Sequence, residues 1–332
     1  MKMSPKTSIL KVRKILEEQG RKAYETAKEA ILKEKFEYEP IREALQYFME
    51  ELWQNFQHPA LLSLACESVG GKPEATTSIG ASLVLLTGAA DIHDDIIDQS
   101  LVKASKKTVL GRFGRDIALL VGDALLLKGC ILLSEACENL PKERRKALLN
   151  LVKEGFFELG VAEAKEAGYR GNWDLTPEEY FTIIRMKAAI ADVTARVGAV
   201  LGNATPKQVE AWGECGRIMG MLMNIRDEFV DVYESNELKN RIDNECLPLP
   251  ILYAFRNPTL KRKIIHIFGK ERLTDEDALA VAGMIMETEE AENLKNEMQS
   301  LLEKGISLLR VIGEVKQQNI LSTLLHGTLE DL

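Results

Sequence analysis

Three observations predict an all-α protein, a single large helical bundle around a central cavity formed by one domain over residues 1–332. The ten prolines leave long proline-free segments between them, and proline costs about 3 kcal/mol inside a helix. Those segments carry apolar residues at helical spacing. Short β-branched runs such as TVL and IIHI occur, but no alternating stretch is bounded by hairpin turns.

The elements follow from that reading in chain order. SIGASLVLLTGAA, residues 78–90, is almost wholly apolar or small and runs straight into DIHDDIID, residues 91–98. Further helices are expected from capped starts: Asn139-Leu140-Pro141 before KERRKALLNLVKEGFFEL, Thr176-Pro177-Glu178-Glu179 before YFTIIRMKAAIADVTARV, and Thr205-Pro206 before KQVEAWGECGRIMGMLMNI. The polar stretches ENLPKERRK and SNELKNRIDNE are too short to be linkers, and no repeat is visible.

Bulk chemistry narrows the function classes. A net charge of −8 and a pI near 5.4 argue against nucleic acid, and the one basic triplet, Lys261-Arg262-Lys263, reads as a solvated face. Five scattered cysteines without a C-x-x-C pair suit reduced thiols and a cytoplasmic location. The start MKMSPKTSIL lacks the build of a signal peptide, and the longest apolar stretch, 79–90, is too short for a transmembrane segment.

Two acidic clusters carry the chemistry. Asp91, Asp94, Asp95 and Asp98 recur at i, i+3, i+4 and i+7, which puts them on one stripe of a helix. Like charges at that spacing repel, so something must offset the cost. Asp227 and Asp231 form an i, i+4 pair in NIRDEFVDVYE, with Glu228 beside them and core-like residues around. Two such helices facing each other would hold hard oxygen ligands around one space, which suits Mg²⁺ bridging to phosphates. Two solvated acidic faces are the bland alternative.

On these residues the chain resembles the all-trans polyprenyl diphosphate synthases of the isoprenoid synthase superfamily. Asp94-Asp95-Ile96-Ile97-Asp98, with His93 before it and Ser100 after it, looks like the family's first D-D-x-x-D motif. FGRDIALLVGDALLLKG, EYFTIIRMKAA and LPLPILYAF are similar to segments that follow in the family, and Asp227-Glu228-Phe229-Val230-Asp231 stands where the second acidic motif belongs. The resemblance covers residues 40 to 260. It implies three Mg²⁺ ions held by Asp94, Asp95, Asp98, Asp227 and Asp231. Lys103, Lys187 and Asn224 would bind an allylic prenyl diphosphate substrate, with Asp94, Asp95 and Lys187 central to catalysis. Gly88, Ala89 and Ala90 would floor the hydrocarbon pocket; being small, they let a long prenyl chain pass, toward a product of C20 or longer. It also implies a homodimer, or a heteromer with a homologue.

The match breaks at the acceptor side. The family binds isopentenyl diphosphate with a basic G-G-K-R-x-R-P segment, and WQNFQHP, residues 53–59, aligns there, so Asn55, Phe56 and His58 replace a lysine and two arginines. The GGK at 70–72 matches a later Gly-Gly turn instead. Thr87 replaces a histidine, Lys103-Ala104 an Arg-Arg pair, and Cys246 a lysine. Charge-assisted contacts contribute ~1.5–3 kcal/mol each, so isopentenyl diphosphate should bind several kcal/mol more weakly. Three explanations stay open: another acceptor, compensation by Lys106, Lys107 and Arg112, or a partner subunit. His58 would add charge below about pH 6.5. Two further readings are a class I terpene cyclase and a catalytically inactive subunit of a heteromer.

Overall fold

A computed structural model describes residues 5–103, 105–270, 272–312 and 315–327. The chain begins with α1 (Pro5–Leu32), α2 (Glu39–Tyr47), a π-helical turn (Phe48–Leu52) and α3 (Gln57–Ser68), then a 3-10 turn (Pro73–Thr76) and α4 (Thr77–Ile97). A hairpin of β1 (Val102–Lys103) and β2 (Lys106–Lys107) precedes α5 (Val109–Phe113), α6 (Arg115–Cys137) and α7 (Lys142–Gly168). Next come α8 (Pro177–Lys187), α9 (Ala189–Leu201), α10 (Pro206–Tyr233), α11 (Ser235–Asn244) and α12 (Leu249–Ala254). The remaining helices are α13 (Pro258–Phe268), α14 (Asp275–Met286), α15 (Glu289–Ile312) and α16 (Val315–Gly327). The all-α expectation holds; the short antiparallel hairpin is the one departure among the described residues.

Local chemistry explains most of these boundaries. Thr176 and Glu179 close a capping box at the start of α8, and Thr205 and Gln208 do the same for α10. Asn139 does not cap α7: its N-cap is Pro141, which offers no side-chain bond. The run EYFTIIRMKAAIADVTARV is not one helix. It breaks at Ala188, whose ψ of −1° ends α8 on Lys187 and starts α9.

Helix α4 forms the spine. It packs against α1, α3 and α6, and residues Ile79–Ala89 are almost all buried. Gly122 on α6 exists for this contact: a Cβ there would lie 2.5 Å from Nε2 of His93. Asp123, the next residue, reaches the same nitrogen at 3.3 Å.

The expectation that no segment is long and apolar enough to cross a bilayer needs correction. Residues Pro73–Ile97 and Arg115–Cys137 both meet that test, because a helix that carries a few polar residues is longer than its uninterrupted apolar run. The first is a core element, with 72% of its apolar window buried. In α6 that share is 33%, leaving Leu119, Leu120, Leu126, Leu127 and Ile131 exposed, and on α7 Phe157 and Val161 are exposed as well.

Candidate active site

A cavity of about 640 Å³ lies between α3, α4, α7, α9 and α10, with α1 and α16 at its edge. Helical geometry sets the α4 wall: Thr87, Ala90, Asp91 and Asp94, at i, i+3, i+4 and i+7, all line it. Across the space α10 contributes Met223, Asn224 and Asp227, while Glu163 of α7 and Lys187 of α8 stand between the two helices. Asp91 and Asp94 of the first row and Asp227 of the second therefore line one cavity, whereas Asp95, Asp98 and Asp231 lie outside its lining.

Each member of the first motif has its own surroundings. Asp95 is 1% exposed and ion-paired with Lys103 Nζ at 2.6 Å. Burial pushes its carboxyl up to about 7 against the pull of that lysine. Asp98 caps the end of α4, 3.7 Å from Arg170, and burial followed by the charge of Asp94 raises it to about 8. For Asp94 burial is outweighed by the ammonium groups of Lys187 and Lys103, which hold it below the usual carboxylate range. In the second motif Asp227 is largely exposed at the cavity edge, near Arg226 at 3.8 Å. Asp231 lies 3.9 Å from Nε of Arg241, and burial pushes it to about 8.

Glu228 turns away from the cavity. Both its oxygens accept bonds from Arg241 at 2.8 Å, one of them lies 2.9 Å from the Tyr180 hydroxyl oxygen, and it accepts the amide of Leu249 at 2.8 Å. Arg241 further bonds Glu245 at 2.8 Å, and Asn240 joins Glu245 to the carbonyl of Asp98. Lys187 pairs with Glu166, and Glu166 accepts a bond from Tyr180 at 2.7 Å. A buried chain of charge thus connects the ends of both acidic motifs.

Glu163, Glu166 and Arg241 are site residues that the sequence reading misses. Glu163 lines the cavity, and burial pushes it up to about 9 against the attraction of Lys187. The available signal was the i, i+3 spacing of Glu163 and Glu166 within AEAKEAG, where small neighbours permit close packing. Arg241, in a stretch that reads as a polar connection, carried no such signal.

Several expected residues are placed otherwise. Of the three small floor residues only Ala90 lines the cavity; Ala89 is 1% exposed in a core cluster with Phe48, and Gly88 packs on the Phe48 ring. At 100° per residue, positions 88 and 89 point to the opposite side of α4. An aromatic ring does reach the wall, from Trp53. Thr87 bonds its hydroxyl back to Leu83. Lys106 donates to the carbonyl of Glu51, and Arg112 stacks 4.2 Å over Tyr47, so both are engaged on the outer side of α2 and its π turn. Ala104 lies outside the described residues. Cys246 is buried against the Glu166 carbonyl.

His58 gains no charge near neutral pH. Its Nδ1 is sealed from solvent without a hydrogen bond, and burial lowers the imidazole to about 4. Asn55 accepts the amide of Gln57 at 2.9 Å, which starts α3. These residues and Phe56 line the same cavity as Asp94.

The donor set fits divalent metal. Among the described residues no three His, Cys, Asp or Glu side chains converge closely enough to hold an ion alone. Yet Oδ1 of Asp94 is buried without a hydrogen bond, and its neighbours are hard oxygens with raised proton affinity. Magnesium keeps waters and bridges to phosphates, so it needs no closed protein cage.

Solved structures identify this helical shell. A geranylgeranyl pyrophosphate synthetase from Pyrococcus horikoshii superposes with a TM-score of 0.83 over 96% of this chain and 98% of its own, at 21% identity. A polyprenyl synthetase from Streptomyces coelicolor gives 0.82 over 96% and 99%, at 18% identity. The polyprenyl synthetase family profile matches residues 40–285, and the chain belongs to that family. Among curated relatives, a geranylgeranyl diphosphate synthase of Methanosarcina mazei is 26% identical over 79% of this chain and 81% of its own. A short chain isoprenyl diphosphate synthase of Methanothermobacter thermautotrophicus is 29% identical over 54% of each chain, so only about half of that relative is spanned.

Proposed function

We propose that this chain is a magnesium-dependent prenyltransferase. It ionises an allylic prenyl diphosphate and hands the prenyl group to isopentenyl diphosphate or another acceptor, giving a C20 or longer product. The observation that carries this reading is the meeting of Asp91 and Asp94 with Asp227 and Lys187 around one cavity.

Magnesium, as three ions, would be held by Asp94, Asp95 and Asp98 on α4 and by Asp227 and Asp231 on α10. Bound there, it would neutralise the charge that develops on the departing diphosphate. The chain supplies the rest. Lys187 and Lys103, which pair with carboxylates of the same site, would contact the diphosphate. Asn224 offers an amide from the same wall. Leu159, Ile190, Met219 and Met223 form an apolar surface that keeps water from the cation.

The exposed apolar residues of α6 and of α7 support a homodimer through these helices; a homologue presenting the same residues is the alternative partner. The cyclase reading loses ground at Ser235, which would be the third ligand at i+8. Helix α10 ends at Tyr233, and Ser235 donates to Asp275 instead.

The experiment is turnover of geranyl, farnesyl and geranylgeranyl diphosphate with magnesium, by the native chain and by Asp94→Ala and Asp95→Ala. Both substitutions should abolish product. Turnover equal to the native chain's in either variant would overturn the metal assignment.

A further inference from the structure

Among the described residues, three lysine or arginine side chains line the cavity, and they are not equivalent. Lys187 is paired with Glu166 and Glu163, and Arg226 on α10 stands 3.8 Å from Asp227. Both are tied to carboxylates of the acidic site. Arg13 lines the cavity from α1, at its edge, and is exposed.

Helix geometry places Arg13. It recurs with Leu16 and Gly20 at i, i+3 and i+7, one stripe of α1. Leu16 also lines the cavity, and a Cβ at Gly20 would stand 2.7 Å from the Phe56 carbonyl. Beside Gly20, Gln19 accepts a bond from Ser63 of α3 at 3.0 Å. The stripe therefore runs along the segment that opens α3, with Arg13 two turns, about 10 Å, before the Phe56 contact. At the other end a Cβ on Gly327 of α16 would lie 2.6 Å from Val12.

Arg13 differs from its neighbours in lacking a counterion. Elsewhere on α1, Lys14 pairs with Glu18, Arg21 with Glu17 and Lys28 with Glu25. Glu17, the i+4 carboxylate that Arg13 could use, is thus engaged by Arg21, which also lies over the Phe56 ring. No carboxylate among the described residues pairs with Arg13. The cavity wall from Asn55 to His58 adds neutral groups. Asn55 uses its oxygen to accept the amide of Gln57, and its two N–H donors have no partner among the described residues. Nδ1 of His58 is sealed from solvent without a hydrogen bond, a state that a ligand would relieve. A guanidinium fork with neutral donors suits an anion that offers several oxygens, a phosphate above all.

We propose that Arg13, with the amide of Asn55 and the imidazole of His58, holds the diphosphate of isopentenyl diphosphate while the allylic diphosphate occupies the acidic site. This rests on the prenyl-transfer reading above and assigns its acceptor site to α1, outside the residues 40–285 that match the family. Arg13 stands in for the cations missing at Asn55, Phe56 and His58, a role that Lys106 and Arg112 do not fill, being engaged elsewhere. A single guanidinium in place of several cations makes acceptor binding weak and dependent on Arg13.

The test is steady-state kinetics of the full chain with magnesium, varying isopentenyl diphosphate at saturating geranylgeranyl diphosphate and the reverse, for the native chain, Arg13→Ala and Arg13→Lys. Alanine favours a helix, so the helical circular dichroism should match that of the native chain. Arg13→Ala should raise KM for isopentenyl diphosphate about tenfold or more, the size of one charge-assisted contact, and KM for geranylgeranyl diphosphate by less than about twofold. Arg13→Lys keeps the charge without the fork and should recover part of the loss. An unchanged KM for isopentenyl diphosphate in Arg13→Ala, or an equal rise for both substrates, overturns the inference. So does a native chain that binds the non-ionising thiolo analogue of geranylgeranyl diphosphate in the presence of magnesium yet makes no product with isopentenyl diphosphate, a result that leaves the proposed allylic site standing. Absence of any magnesium-dependent analogue binding removes the proposed function itself, and the acceptor site with it.

Discussion

The ammonium of Lys103 stands 2.6 Å from Oδ1 of Asp95, 3.7 Å from Asp94 and 4.0 Å from Asp91. The hairpin after α4 folds back and places one cation on the carboxylate stripe, an internal counterion in the absence of metal. Lys103→Met should destabilise the metal-free protein by about 1–3 kcal/mol, the cost of stranding a buried carboxylate, with the lower end favoured because the lysine is partly exposed. Denaturant unfolding in a chelator checks this. Magnesium should then recover more stability in the variant than in the native chain; equal recovery would show that Lys103 and the metal do not serve the same carboxylates.

Arg241 is 5% exposed and holds Glu228 and Glu245 together. Removing one partner of a buried ion network costs about 3–5 kcal/mol, because the other charges stay buried. Arg241→Met should lose stability on that scale in urea unfolding. A loss below about 1 kcal/mol, the range of exposed pairs, would mean that the network is wet.

These two lysine and arginine contacts mark the limit of what sequence reading reaches. The spacing of Asp91, Asp94, Asp95 and Asp98 already puts them on one stripe, and Thr176 and Thr205 already announce two helix starts, because both are local properties of a helix. The break at Ala188 and the role of Arg241 are tertiary. Nothing within four residues of either distinguishes it, and only the packing of α7, α8, α10 and α11 around Tyr180 gives Arg241 its partners. Ala89 failed as a floor residue for a smaller reason: one position along a helix is 100° of rotation.

His58 predicts a pH effect with a definite sign. Its folded pKa, about 4, lies below the ordinary 6.5, so between these values the unfolded chain binds more protons than the folded one. Stability tied to this residue is therefore full above pH 6.5 and is lost as pH falls toward 4. His58→Gln removes that linkage. The native chain should lose stability relative to the variant over this window, measured by urea unfolding at several pH values; parallel curves would place a charged imidazole in the fold.

Leu127 on α6 and Phe157 on α7 are 65% and 70% exposed. A charge placed in the middle of an apolar interface is poorly tolerated, so Leu127→Glu with Phe157→Glu should convert a dimer to a monomer in sedimentation velocity, with the helical circular dichroism unchanged. A native chain that sediments as a monomer without a homologue would move the question to a heteromeric partner.

Titration calorimetry of the thiolo analogue of geranylgeranyl diphosphate, with and without magnesium, asks whether the α4 and α10 carboxylates grip one ligand together. Binding should require magnesium and should fall by about a hundredfold or more, some 3 kcal/mol, in both Asp94→Asn and Asp227→Asn. Native-like binding in either variant, or binding that ignores magnesium, would contradict a shared site across the cavity.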